Sequence, residues 1–119
     1  MRIRLGDIAY ARSGDKGAGA NIGVIAHTPA GFALLAGLLT ADLVADFFRP
    51  LHPGPVRRFE LPNLNALNFI LPTALDGGGS LSLRIDAQGK ALGQAILEMP
   101  LDVPDELLSQ LRPRPETPL

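Results

Sequence analysis

The sequence predicts an α+β fold, a two-layer sandwich in which helices pack on one face of a mainly antiparallel sheet. Two observations carry this prediction. Short apolar or alternating segments, typical of strands, flank longer apolar segments with helical spacing. The resulting order is β-β-α(α)-β-α-β-β, and both helical regions are long enough to cross over a sheet. With 119 residues, 46% of them hydrophobic, the chain can form one domain with its own core.

A pair of strands is expected near the N-terminus. Residues 8–11 (IAYA) are predicted to form a short strand, and residues 22–27 (IGVIAH) a buried one. Between them lies RSGDKGAGAN, residues 12–21. We expect this segment to be a loop, because glycine permits tight turns and short polar side chains form turn hydrogen bonds.

Two apolar helices are expected next. The first covers residues 29–39 and is apolar almost all round, so a second helix or another chain must cover it. Thr40 is the expected N-cap of the second helix, over residues 41–49, with Asp42 in its first turn. The proline-rich segment RPLHPGP ends this helix.

The second half of the chain is expected to combine strands with one more helix. Residues 56–61 (VRRFEL) are predicted to form a strand, and Asn63 to cap a helix over residues 64–71. Residues 80–86 (SLSLRID) alternate as a strand does. Residues 91–101 suit either a helix or a strand, and we favour a strand because a tight turn precedes them.

The composition excludes several classes of function. A formal net charge of −1 provides no basic field for nucleic acid, and the absence of cysteine removes disulfides and thiolate metal sites. The N-terminal residues lack the apolar core of a signal peptide, and no apolar stretch is long enough to span a membrane. We therefore expect a cytoplasmic protein with neither nucleic acid nor membrane as a partner. Residues 1–104 are predicted to form a single domain, and residues 105–119 a proline-rich tail.

The segment RSGDKGAGAN contains most of the candidate site residues. Its glycines do not form a nucleotide-binding motif, because a strand follows where a helix N-terminus is required. Ser13 and Lys16 have the S-x-x-K spacing of certain acyltransferases, but the neighbouring glycines disfavour the helical turn that this chemistry needs. Two interpretations remain, a structural turn or an anion-binding nest to which Arg12 and Lys16 add charge.

Three asparagines in PNLNALNF form a second candidate cluster. Beyond the predicted cap, Asn65 and Asn68 either satisfy loop backbone or form the polar end of a binding cleft. His27 and His52 have no obvious third ligand, so neither a metal site nor a cofactor is expected. The candidate ligand-binding residues are Arg12, Ser13, Asp15, Lys16, Asn21, Asn65 and Asn68.

Two blocks of the sequence carry a family resemblance: ARSGDKGAGANIGVIA at residues 11–26 and LPNLNALNFILPTALDGGGSLSLRIDAQGKALGQAILEMPL at residues 61–101. In the combination of RSGDKG…NIG, NLxALNF and DxxGK, the chain resembles the AtuA-like ferredoxin-fold domain. This domain occurs at the C-terminus of acyclic terpene utilisation proteins and as separate short proteins. The resemblance implies a ferredoxin-like sandwich and an association with acyl-CoA steps of terpenoid or branched-acid catabolism. It implies no catalytic residue.

Three functions remain open after this resemblance. The first is an accessory or ligand-binding subunit that acts beside an acyl-CoA-handling enzyme. The second is a small enzyme, a hydratase or isomerase, that uses residues 12–16 together with Asn21 and Asn68. The third is a purely structural oligomerisation domain. A homo-oligomer, dimeric or larger, is expected because ferredoxin-like sheets present an open face or edge. A larger AtuA-type subunit is the other expected partner.

Overall fold

The computed structural model describes residues 1–17, 19–74 and 90–112. The strands are β1 (Arg2–Arg4), β2 (Ala9–Lys16), β3 (Gly19–Ala26), β4 (Arg57–Leu61), β5 (Ala66–Leu71) and β6 (Pro100–Asp102). The α-helices are α1 (Pro29–Leu38), α2 (Ala41–Phe47), α3 (Lys90–Ile96) and α4 (Leu108–Leu111).

The larger sheet has the strand order β2-β3-β5-β4, and each neighbouring pair is antiparallel. A separate two-stranded sheet joins β1 to β6. Helices α1, α2 and α3 share one hydrophobic core with β3 and β5. The predicted α+β class, with an antiparallel sheet and a helical layer, is therefore confirmed.

Side chains alternate along each strand, so the register divides the larger sheet into two faces. The helix-covered face carries Ala9, Ala11, Ser13, Asp15, Ala20, Ile22, Val24, Ala26, Leu67, Phe69, Leu71, Arg58 and Glu60. The open face carries Tyr10, Arg12, Gly14, Asn21, Gly23, Ile25, Ala66, Asn68, Ile70, Arg57, Phe59 and Leu61. None of the described helices packs on the open face.

Local signals place the first two helices where they are expected. The Thr40 hydroxyl accepts a hydrogen bond from Leu43 N–H at 3.1 Å, which confirms the predicted N-cap of α2. Thr28 caps α1 by accepting from Gly31 N–H at 2.9 Å, and its hydroxyl donates to the Gln110 carbonyl at 2.7 Å. This second bond ties α4 to the start of α1. A helix of the same chain therefore covers part of the apolar surface of α1.

The predicted helix over residues 64–71 is wrong, because residues 66–71 form β5. Asn63 lies in a 3-10 turn rather than at a helix N-cap, and Asn65 adopts a left-handed conformation with φ 53°. Asparagine tolerates this conformation, which turns the chain from β4 back into β5. Leu64, Leu67 and Leu71 have the spacing of a helix, but Leu67, Phe69 and Leu71 also follow the period of two that is typical of a strand.

The predicted loop over residues 12–21 is also wrong. Strand β2 continues to Lys16 and β3 begins at Gly19, so two residues connect them. Gly17 supplies the positive φ of 65° that this hairpin turn requires. The backbone of the segment pairs across the hairpin, which satisfies more of its polar groups than an irregular loop would.

Two later predictions have different outcomes. For residues 91–101 the favoured strand is wrong over most of the segment. Helix α3 ends at Ile96, and the β6 strand begins only at Pro100. The predicted strand over residues 80–86 lies outside the described residues, as do residues 113–119 of the predicted tail. In the part of the chain that is described, no single helix could span a membrane. Only α1 and α2 taken together reach that length, and they are bent by 77°.

Candidate functional site

The open face forms a grid in which the side chains of four strands lie in rows. One row consists of Arg12, Gly23, Asn68 and Phe59. The row beside it consists of Gly14, Asn21, Ile70 and Arg57. Arg12, Asn21 and Asn68 lie on β2, β3 and β5, beside Gly14 and Gly23, which have no side chains. These five residues line a depression in the sheet.

This depression has a volume of about 310 Å³. Its floor is low because Gly14 and Gly23 have no side chains. A Cβ atom at Gly14 would meet nothing within 4 Å, and one at Gly23 would lie 3.8 Å from Asn68 Oδ1. The space above these two glycines is therefore open, and neither glycine is required by a close backbone contact.

Apolar side chains from β3, β4, β5 and the turn before β5 form one wall of the depression. Ile25, Leu61, Leu64 and Ala66 line it there. Leu61 is 43% exposed and Leu64 is 63% exposed. Large apolar side chains that are this exposed and grouped together mark a binding surface more often than isolated ones do.

A pair of asparagines forms part of the polar side. Asn21 Nδ2 donates to Asn68 Oδ1 at 2.7 Å across neighbouring strands, and both side chains are half-buried. This bond uses one donor and one acceptor. Among the described residues, Asn21 Oδ1 and Asn68 Nδ2 have no further side-chain partner. The pair therefore presents one acceptor and one donor to a ligand.

Arg12 provides the positive charge of the depression. Its side chain is exposed, and within the described part of the chain its guanidinium has no ion pair or hydrogen bond. A guanidinium binds a carboxylate through two parallel hydrogen bonds. Arg57, on the other edge strand, instead lies over the Phe59 ring, 5.4 Å from its centroid. Among the side chains that the structure describes, Arg12 is thus the cation available to a ligand in the depression.

Ser13 has a different role from its neighbour Arg12. It lies on the helix-covered face, and its hydroxyl accepts a hydrogen bond from Gly93 N–H at 2.7 Å. A Cβ atom at Gly93 would come within 3.0 Å of Ser13 Oγ, so glycine is needed for α3 to lie this close to β2. Ser13 therefore holds the helical layer on the sheet.

The other predicted site residues are dispersed. Asp15 lies on the helix-covered side of β2 near the hairpin, and Asn65 lies in the turn before β5. Lys16 ends β2, and its side chain lies outside the described part of the structure. Because residues 12–16 are a strand, no turn gathers their N–H groups into the predicted anion nest.

Of the seven predicted residues, Arg12, Asn21 and Asn68 share the open face around the depression, and Ser13, which lies on the helix-covered face, also lines it. The glycine floor and the apolar wall were not predicted from the sequence. One signal was present, since Asn68 lies between Leu67 and Phe69 in an alternating segment. Within the described residues no group of three or more histidine, aspartate or glutamate side chains could hold a metal ion.

Comparison with known proteins identifies one family. The model of the AtuA ferredoxin-like domain matches residues 3–102, nearly the whole chain. The matched range includes every strand of the larger sheet and both rows around the depression. No curated protein and no solved structure shows detectable similarity to the chain.

Proposed function

Because the chain belongs to the AtuA ferredoxin-like domain family, we propose that it is a small ligand-binding subunit. It holds a branched carboxylic acid on the open face and acts beside an enzyme of acyl-CoA, terpenoid or branched-acid catabolism. The observation that carries this proposal is the position of Arg12 next to the Asn21–Asn68 pair, over a floor of glycine.

The two sides of the depression match the two parts of such a ligand. A carboxylate would bind the Arg12 guanidinium and the free Nδ2 of Asn68, both of which donate hydrogen bonds. A branched hydrocarbon chain would lie on the apolar wall that Ile25, Leu61 and Leu64 form. The volume, about 310 Å³, is at the lower end of the roughly 300–1,000 Å³ usual for small-molecule sites.

The chemistry of the depression supports binding rather than catalysis. Among the described residues that line it, Arg12 is the only one that ionises, and arginine does not accept protons at ordinary pH. A hydratase or isomerase needs a positioned general acid or base. Ser13, the candidate nucleophile, faces the helical layer and is bonded to Gly93 N–H. A small enzyme is therefore the weaker alternative.

Calorimetric titration with citronellic acid and citronellol tests the ligand class, because these probes share a branched chain and differ in the carboxylate. We expect the acid to bind at least about tenfold more tightly than the alcohol, a ratio typical of one charge-assisted contact. Arg12→Met should remove this preference. Arg2→Met is the matched control, since Arg2 is exposed and lies outside the depression.

Three results would contradict the proposal. Equal affinity for acid and alcohol, or an unchanged affinity in Arg12→Met, would exclude a carboxylate site at Arg12. Absence of binding by both probes at millimolar concentration, with the protein folded, would exclude a module for branched acids. The accessory role has its own test, which is co-purification with a larger AtuA-type subunit and its loss in a variant with an altered open face.

A further inference from the structure

Among the described strands, β4 is an edge of the larger sheet, and it is both exposed and partly apolar. Among the described elements it pairs only with β5, and each of its residues except Arg58 is exposed. An edge strand has a row of N–H and C=O groups that can pair with another strand. Phe59 and Leu61 are each 43% exposed on this edge. The edge therefore has both the backbone groups and the apolar area for a contact.

We infer that β4 pairs antiparallel with β4 of a second copy of this chain, about a two-fold axis at Phe59. In this register Arg58 lies opposite the partner's Glu60, and the partner's Arg58 lies opposite Glu60. Opposite charges directly across an antiparallel pair stabilise it, and like charges destabilise it. The strand RRFEL is thus complementary to itself.

The charges of Arg58 and Glu60 favour this register over the other symmetric registers of two β4 strands. A two-fold axis perpendicular to the sheet keeps both open faces on the same side, so the axis must pass through a residue of β4. An axis at Arg58 would place two arginines opposite each other, and an axis at Glu60 would place two glutamates opposite each other. Only the axis at Phe59 places each of these charges opposite one of the other sign.

The side chains are already oriented for this contact. Arg58 Nη2 donates to Glu60 Oε2 at 2.8 Å, and Arg58 Nη1 donates to the Ala36 carbonyl at 3.2 Å. Both charged groups therefore lie together on the helix-covered side of the edge. Two copies would form a cluster of four alternating charges without moving Arg58 from its contact with α1.

The second copy also reaches the depression. In the same register the partner's Arg57 lies opposite Leu61, and Leu61 lines the depression on the open face. A second guanidinium would then lie at the rim opposite Arg12. The two Phe59 rings meet at the axis and cover each other. The contact thus extends the open face and adds a cation to each of two sites.

The contact is small, and small interfaces are typical of weak association. Five residues on each side form an interface smaller than that of a standard stable complex, which buries about 1,200–2,000 Å². We therefore expect a dimer that dissociates on dilution in the micromolar range. Sedimentation equilibrium of the full chain, over about 1 µM to 1 mM, should show a mass that rises from 12.6 kDa toward twice that value.

Charge exchange on β4 tests the register. Glu60→Arg alone and Arg58→Glu alone should each weaken self-association by at least about tenfold, because like charges then face each other. An equimolar mixture of the two variants should form a heterodimer. The chain that carries both substitutions should dimerise like the wild type. Glu106→Arg is the matched control, since Glu106 is exposed and lies outside β4, and it should leave the association unchanged.

Two results would contradict the β4 dimer. A wild type that stays at 12.6 kDa at every concentration overturns it, and so does a Glu60→Arg variant that dimerises as tightly as the wild type. Arg58→Glu also removes the bond to the Ala36 carbonyl, so its folding is checked by circular dichroism. If this variant unfolds, the association of the Glu60→Arg variant, which alters an exposed residue, tests the register by itself. No ligand is added, so these results are independent of acid binding.

Discussion

Strands β3 and β5 present opposite kinds of surface on their two sides. On the helix-covered face they carry Ile22, Val24 and Phe69, which are at most 1% exposed. On the open face the same strands carry half-buried Asn21 and Asn68. Because a strand alternates its side chains, one backbone can provide a packed core and a recognition surface. Stability and binding in this molecule should therefore respond to substitutions on different faces.

The largest expected contrast is between two phenylalanines of neighbouring strands. Phe69 is 0% exposed on the helix-covered face, and Phe59 is 43% exposed on the open face. Phe69→Ala should reduce the free energy of unfolding by about 3–5 kcal/mol, since it removes buried area and leaves a cavity. Phe59→Ala should cost less than about 1 kcal/mol at low protein concentration. Urea unfolding measures both, and similar losses would contradict the division between the faces.

The next contrast is between two glycines of one hairpin. A Cβ atom at Gly19 would lie 2.6 Å from the Pro72 carbonyl oxygen, whereas one at Gly14 meets nothing within 4 Å. Gly19→Ala should cost about 1–3 kcal/mol, because backbone atoms must move. Gly14→Ala should stabilise by about 0.4–1 kcal/mol, because it restricts the unfolded chain. Thermal unfolding gives the signs, and a loss in both variants would contradict an open floor at Gly14.

Local signals explain which parts of the fold could be predicted. The Thr40 cap and the apolar run of α1 depend on neighbouring residues alone, so the sequence identifies both helices. Strand β5 could not be assigned in this way, because Leu64, Leu67 and Leu71 have helical spacing and the pairing with β3 decides the outcome. The same holds for residues 12–21, where pairing across the hairpin overrides the turn preference of glycine.

The candidate site was only partly predictable for a related reason. Treating residues 12–16 as a loop groups Arg12 with Ser13 and Asp15, although alternation places Arg12 on the other face of the sheet from both. The register then brings Arg12 beside Gly23 and Asn68, which come from two other strands. No sequence spacing reveals this group, because its members are adjacent only across the sheet.

Neighbouring residues of β2 give a smaller contrast. Ser13→Ala should destabilise the protein by about 0.5–1.5 kcal/mol, because Gly93 N–H loses its hydrogen bond to the hydroxyl. Arg12→Met should change stability by less than about 0.5 kcal/mol, since an exposed side chain is altered. Binding of citronellic acid should show the opposite pattern: Arg12→Met should weaken it, and Ser13→Ala should leave it unchanged. If Ser13→Ala abolished binding at unchanged stability, the structural role of Ser13 would be contradicted.

The asparagine pair combines a small expected effect on stability with an effect on binding, so it separates recognition from folding. Asn21→Leu or Asn68→Leu alone leaves one amide without its partner and should cost about 1 kcal/mol or less, because water reaches these half-buried groups. Replacing both should be nearly neutral, since leucine suits a strand surface and no unpaired amide remains. A double-mutant cycle by urea unfolding measures this coupling.

Binding by the same variants should not recover in this way. The free Asn68 Nδ2 and Asn21 Oδ1 are lost in the double variant, so its affinity for citronellic acid should fall at least as far as in either single variant. A pair that existed only to satisfy the sheet would show the opposite result, with full affinity whenever stability is restored. The polar residues of the open face would then be structural, and the division between the two faces would not extend to function.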